Sequence, residues 1–269
     1  MHSDMESERP AGRFFAPLAI LSALPDEQRG LVDQLTQPRR HERAGRSFWC
    51  GELVGVPVVL ATSGIGKVAA SITTSVLIEA FGVGRVVFTG VAGGVGPGVE
   101  VGDVVVGSAF VQHDMDCSPL FPRYEIPLSG QSRLPADTAL SASLLQACQA
   151  ALLSRDADSA LQSMQSPQSA VQVHTGLIAS GDRFVSKAGE AAALLGAMAQ
   201  SGHHPLAVEM ECAAVAQVCA DYQIPFAAVR TISDRADAQA HGDFQVFVVQ
   251  VASVYTQRII GQLLQLLQK

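Results

Sequence analysis

The sequence predicts an α/β fold: a single domain built on a mixed or parallel sheet with helices on both faces. Three observations predict it. Short β-branched runs alternate with longer stretches of helical periodicity. Several of those runs are continuously apolar, as strands covered on both faces must be. Hydrophobic residues make up 48% and charged residues 16% of the 269 positions, enough to fill one large core and far from a disordered composition.

Strands are expected at residues 17–23, 56–62, 85–90, 103–108, 171–179 and 225–232, and an apolar strand also leads into Val208. Helices are expected at residues 27–35, 67–81, 136–153, 187–198, 211–222 and 243–267. In the last of these, Phe244, Phe247, Val248, Val251, Tyr255, Ile259 and Leu263 recur at helical spacing and form one apolar face. Residues 155–168 carry Asp, Ser and Gln and read as a surface excursion. Residues 1–14 are polar and read as a flexible tail, leaving 15–269 as the domain. No internal repeat or linker divides it.

The net charge of −7 gives no electrostatic reason to bind nucleic acid, and there is no polybasic segment for a membrane surface. The start lacks a signal-peptide pattern, and no apolar run approaches the ~20 residues of a membrane span. The five cysteines form no C-x-x-C pair, so free thiols in a cytoplasmic protein are expected.

Two glycine-rich stretches resemble nucleotide motifs without matching them. A phosphate loop ending at Gly66-Lys67 needs glycine at 61 and serine or threonine at 68, where the chain has Ala61 and Val68. The run Thr89–Gly98 breaks the dinucleotide fingerprint at Val99. His203-His204 reads as an exposed turn. In His113-Asp114-Met115-Asp116, strand alternation would put His113 opposite the two aspartates, so no metal site is expected. No G-x-S-x-G elbow occurs.

Three segments place acidic residues at the ends of apolar strands: Leu24-Pro25-Asp26-Glu27, Val208-Glu209-Met210-Glu211 and Ile232-Ser233-Asp234. Ligands of open α/β sheets bind beyond the carboxyl ends of strands. For any one of these segments taken alone, helix capping is the better explanation.

Together with Ser63-Gly64-Ile65-Gly66-Lys67-Val68-Ala69-Ala70, Thr89-Gly90-Val91-Ala92-Gly93-Gly94 and Ser180-Gly181-Asp182-Arg183-Phe184-Val185, these segments resemble the purine nucleoside phosphorylase/uridine phosphorylase superfamily. Within it they are most similar to 5′-methylthioadenosine/S-adenosylhomocysteine nucleosidases. The likeness runs in order from about residue 17 to the C-terminus. It implies a nucleoside phosphorylase-like domain with a central mixed, partly barrel-like sheet. The implied enzyme hydrolyses the N-glycosidic bond of an adenosine derivative without a cofactor or metal, in nucleoside catabolism and methionine salvage.

The resemblance also implies roles. Asp234 would protonate N7 of the base, with Ser233 orienting it. Glu27 would position and deprotonate the attacking water. Glu211 would bind the ribose hydroxyls, with Met210 packing on the sugar and Glu209 beside it. Phe184 would stack on adenine, and the Val185 backbone would read its polar edge. Val91, Ala92 and Gly93 would border the sugar, the glycines of 90–94 letting backbone approach the ribosyl ring. A homodimer is implied, with residues 113–127 near the partner's site. An acid on the base side and a carboxylate on the water side suit an oxocarbenium-like transition state. On this scheme burial raises the pKa of Asp234 and Glu27 is ionised.

Three positions depart from the family pattern. Val91 stands where typical nucleosidases have serine, Pro25 replaces an acidic residue, and 116–124 is rich in bulky side chains. The segment 22–27 lacks the arginine that phosphate-binding relatives use. Two other readings stay open: a phosphate-using nucleoside phosphorylase, and a nucleoside-binding protein without turnover.

Overall fold

The computed structural model describes residues 16–153, 171–236 and 247–268. The expected tail 1–14, the excursion 155–168 and the first residues of the last expected helix lie outside them. Ten strands form one mixed sheet in the order β10-β6-β8-β9-β5-β1-β4-β3-β2, with β7 beside β6 and a further pairing of β10 to β5. The strands are β1 Leu18–Ser22, β2 Thr36–Arg43, β3 Arg46–Leu53, β4 Val56–Thr62, β5 Arg85–Gly94, β6 Val104–Gln112, β7 Leu134–Pro135, β8 Val173–Ser180, β9 Pro205–Glu209 and β10 Phe226–Asp234. The β10–β5 pairing closes β5, β10, β6, β8 and β9 into a barrel. Strands β1, β4, β3 and β2 extend from β5 as an open wing.

Helices cover both faces. Helix α1 (Lys67–Phe81) and helix α4 (Cys212–Asp221) share one apolar core with Leu21, Val86 and Phe88. Helix α2 (Thr138–Leu153) and helix α5 (Ser253–Leu267) share the other with Leu18, Ile20 and Val87. Helix α3 (Ala188–Gln200) packs Ala191 and Met198 into a third cluster with Val185 and Val208. Helix α1 ends where Gly82 adopts a left-handed φ of 61° and donates its N–H to Ile78 and Leu77. Among the described residues no helix is long and apolar enough to cross a membrane. All five cysteines are free.

Several expectations need correction. The helix expected at 27–35 is two short 3-10 turns, Pro25–Gln28 and Val32–Gln34. Gly30 lies between them at φ 82°, a left-handed conformation that a continuous helix cannot contain. The β2–β3 hairpin was not expected because β2 is exposed along almost its whole length and shows no apolar alternation. Its turn, Ala44-Gly45, has φ 48° and 72°, the positive pair of a tight hairpin. The strand expected at 85–90 runs on to Gly94, held by β10 and β9 despite the poor intrinsic strand preference of its glycines. His113 and Asp114 lie in a turn after β6, so strand alternation does not govern them. His203 is buried at 4% exposure, not exposed, and accepts a hydrogen bond at Nδ1 from Arg133 Nε at 2.9 Å.

Strand β5 positions the site. Along one edge it pairs with β10 from Val86 to Gly93. Along the other, β1 pairs only as far as Phe88 and β9 begins only at Gly93. The two neighbours diverge between those points, leaving a crevice of the kind that opens where strand order switches.

Candidate active site

The crevice is a cleft of about 630 Å³, its open mouth included. All eleven residues expected from sequence line it: Glu27, Val91, Ala92, Gly93, Phe184, Val185, Glu209, Met210, Glu211, Ser233 and Asp234. They come from the turn after β1, the second half of β5, the loop after β8, the junction of β9 with α4, and the end of β10. Ala23, Leu24, Ile65, Arg183 and Val208 complete the lining.

Glu27 is 2% exposed. Its Oε2 accepts the N–H groups of Ala23 and Leu24, both at 2.8 Å. Its Oε1 accepts the N–H of Val91 at 3.1 Å. That N–H sits where β1 and β9 separate, so the carboxylate satisfies a backbone donor that the strand split leaves open. Burial raises the pKa of Glu27 against the opposing pull of Arg230 and these three N–H groups. Glu27 is thereby a weaker acid and a stronger base than an exposed glutamate.

Glu209 ends β9 and caps α4. Its carboxylate accepts the N–H of Glu211 at 3.1 Å and that of Cys212 at 2.9 Å, and Ser180 Oγ donates to its Oε1. Ser180 Oγ in turn accepts the Ala213 N–H at 2.8 Å. These contacts satisfy the helix's first free donors, so the Glu211 carboxylate is not consumed by capping. Glu211 Oε1 instead accepts the Gly66 N–H at 2.9 Å, from the turn that opens α1.

Arg230 joins the three glutamates. It is 1% exposed on a strand whose nine residues are all buried. Its Nη2 lies 2.6 Å from Glu209 Oε2 and 3.7 Å from Glu211 Oε2. Its guanidinium lies 4.1 Å from the ring centroid of Phe88. A β-carbon on Gly90 would stand 2.5 Å from Arg230 Nη1 and 2.7 Å from Glu27 Oε1. The absent side chain at Gly90 thus makes room for the protein's own charged groups.

One cation among three buried carboxyls cannot balance three negative charges. Burial would raise Glu209, but Arg230, the Ser180 hydroxyl and the Cys212 N–H outweigh it and hold the carboxyl below its ordinary range. Burial and the neighbouring Glu209 charge push Glu211 well above its own. Glu209 is therefore the structural counter-ion of Arg230, while Glu211 and Glu27 are weaker acids than exposed glutamates.

Asp234 stands at the end of β10 and is 7% exposed. Its Oδ2 accepts from Ser233 Oγ at 2.8 Å and its Oδ1 from the Ala236 N–H at 2.7 Å. The β10–β5 register shifts between Ile232 and Asp234, which re-aims the strand end. A β-carbon on Gly93 would lie 3.1 Å from Asp234 Oδ1. Phe184, 40% exposed, forms part of the rim.

A phosphorylase superfamily model matches residues 17–266. The chain belongs to the phosphorylase superfamily. Over 243 residues it is 35% identical to the 5′-methylthioadenosine/S-adenosylhomocysteine nucleosidase of Bacillus thuringiensis (strain Al Hakam), covering 90% of this chain and 96% of that one. The solved nucleosidase of Neisseria meningitidis, in complex with methylthio-immucillin-A, superposes with a TM-score of 0.80 at 31% identity, over 93% of this chain and 98% of that chain. The nucleosidase of Colwellia psychrerythraea 34H, in complex with adenine, gives 0.80 at 32% identity over 93% and 96%.

In this superfamily member, Arg230 and Ser180 were not among the residues expected from sequence. An arginine inside an otherwise apolar strand was the available signal, since a buried guanidinium demands a counter-charge. Nothing in the sequence marks Ser180 beyond its place before Gly181. Arg230→Leu is expected to lower stability by about 3–5 kcal/mol, because it leaves the buried Glu209 unpaired. Urea denaturation measures this, and a midpoint equal to the parent's would show that Glu209 does not depend on the arginine.

Proposed function

We propose that this chain is an N-glycosyl hydrolase that splits 5′-methylthioadenosine, S-adenosylhomocysteine or a related adenosine derivative into adenine and the ribose derivative. One observation carries the reading: a single cleft has Asp234 on the β10 side and a backbone-anchored Glu27 on the β1 side, with Glu211 also on its wall. The similarity to nucleosidases, whose solved structures hold adenine or a nucleoside analogue, supports the substrate class.

In this scheme Asp234 gives a proton to the purine as the N-glycosidic bond breaks, and the bond electrons leave with the base. Glu27 takes a proton from the water whose oxygen bonds to the anomeric carbon. The products are neutral adenine and a free hemiacetal. Asp234 and Glu27 exchange protonation states and are reset through solvent. Glu211, a weak acid in this site, receives the ribose hydroxyls, and Phe184 and Val185 flank the base. Val91 gives the water side an apolar wall where a serine is usual.

Arg230 does not favour the phosphate alternative, since its charge is committed to Glu209 and bordered by Glu27 and Glu211. A panel of 5′-substituted adenosines and inosines, assayed with and without phosphate, tests the reading. Adenine release that is independent of phosphate is expected. Strict phosphate dependence with ribose 1-phosphate as product would establish a phosphorylase instead.

A cytoplasmic homodimer is part of the proposal. Val68 and Ile72 stand one turn apart on α1 and are 70% and 41% exposed, and Leu120 is 84% exposed. Lys67 Nζ, at the start of that helix, lies 2.6 Å from Asp114 Oδ1, tying the apolar face to segment 113–127. Exposed apolar side chains such as Val68 and Ile72 on one helix face suit a partner surface.

A further inference from the structure

The turn that carries Glu27 is short, and its local ties are the Glu27 carboxylate on the Leu24 N–H, the backbone bonds of Glu27 to Leu24 and of Arg29 to Asp26, and the Arg29–Asp26 ion pair. Pro25–Gln28 is a four-residue 3-10 turn whose N-cap, Leu24, has no side-chain acceptor to offer; the Glu27 carboxylate takes the Leu24 N–H instead. In all, Glu27 meets three backbone N–H groups, two just after β1 and one within β5. The adjacent side chain adds a restraint that ties the turn to the strands. Gln28 is 5% exposed, and its Nε2 donates at 2.9 Å to the carbonyl of Ile20 in β1 and at 2.9 Å to that of Ala61 in β4. An amide nitrogen has two hydrogens, and here each goes to a different strand of a parallel pair. A buried amide in apolar surroundings is costly unless so satisfied. From the outer side, Gln257 of α5 donates from Nε2 to the Arg29 carbonyl at 2.9 Å and accepts at Oε1 from Gln34 Nε2 at 2.7 Å. A β-carbon on Gly30 would come within 2.8 Å of Gln257 Nε2, so the glycine leaves the space that this amide occupies.

We propose that Gln28 is a positioning residue for Glu27, fixing its turn across the ends of β1 and β4, and that Gln257 clamps the same turn from outside. The inference rests on the nucleosidase reading, with Glu27 on the water side. Gln28→Leu removes both donors at similar volume. In the full-length protein it is expected to lower kcat for 5′-methylthioadenosine by about 10- to 100-fold, the range for a displaced catalytic group. KM should stay close to the parent's, and the acid limb of the kcat–pH profile should move. Gln257→Ala, at a half-buried position, should show a smaller fall in kcat and a shift of that limb in the same direction.

Circular dichroism and thermal melting establish whether each variant is folded. If Gln28→Leu does not fold, Gln257→Ala decides the matter. A folded Gln28→Leu with the parental kcat and acid limb overturns the proposal. So does a rise in KM alone, or an indifferent Gln257→Ala where it is the deciding variant. A parent protein that releases no adenine from any adenosine derivative overturns the nucleosidase reading and this inference with it. An active parent with indifferent variants overturns this inference alone.

Discussion

Asp234→Asn is expected to lower kcat by at least about 10²-fold, the loss that follows removal of a general acid. The substitution is nearly isosteric, and the side chain is held at both oxygens by Ser233 Oγ and the Ala236 N–H. An asparagine can keep one of those contacts, so the cleft should keep its shape and KM should change little. What it cannot do is give a proton to the departing purine. The cost should therefore fall on the chemical step, appearing equally in kcat and kcat/KM. Steady-state adenine release measures it. Turnover near the parent's would remove Asp234 from the base side and leave the acid to be found elsewhere.

Glu27→Gln should abolish hydrolysis while leaving adenine binding largely intact. Glu27 accepts three backbone N–H groups with two oxygens. Glutamine has one oxygen, so at least one donor must face its NH₂ group. Leaving a buried donor unpaired costs about 1–3 kcal/mol, and the variant should melt earlier than the parent. The larger effect is chemical, because an amide cannot take a proton from water. Single-turnover assays with calorimetric adenine titration separate the two, and hydrolysis at a parental rate would exclude Glu27 as the base. In the parent, the sign of the pH dependence follows from burial. Glu27 acts when ionised, so kcat should fall as pH drops through its pKa. Because that pKa is raised, the fall should begin above the ordinary carboxylate range. Stability runs the other way. A buried carboxyl with a raised pKa holds a proton that the unfolded chain has already released. Its contribution therefore weakens as pH rises from the ordinary range through the raised value.

The legible parts of the site were those written as short local segments. Ser233-Asp234 and Val208–Glu211 stand at the ends of strands whose apolar character shows in sequence, and both reach the cleft. Less legible were contacts that no spacing encodes. Arg230 lies twenty-one positions from Glu209 and yet pairs with it at 2.6 Å. Ser180 reaches Glu209 because β8 and β9 are parallel neighbours paired at that level. The glycines of β5 were visible as a run, but which bodies press against them was not. At Gly90 these proved to be Arg230 and Glu27. The 3-10 turn at Pro25–Gln28 escaped prediction because four residues carry too little periodicity to separate a short turn from the start of a helix.

By itself the sequence determined the α/β class, most of the core strands, the helices on both faces and the acids at strand ends. These depend on hydrophobic periodicity and on residues adjacent in the chain, so a linear reading suffices. Only the tertiary structure decided which glutamate is which. Glu27, Glu209 and Glu211 are chemically alike in the sequence. They differ because β5 exchanges β1 for β9 along one edge, opening a cleft over Arg230. One carboxylate there is held as a counter-ion, one is lifted by burial beside that charge, and one is anchored by the N–H that the strand split exposes. Protonation behaviour follows from desolvation and from the nearest charges, and the closed sheet alone brings those into place.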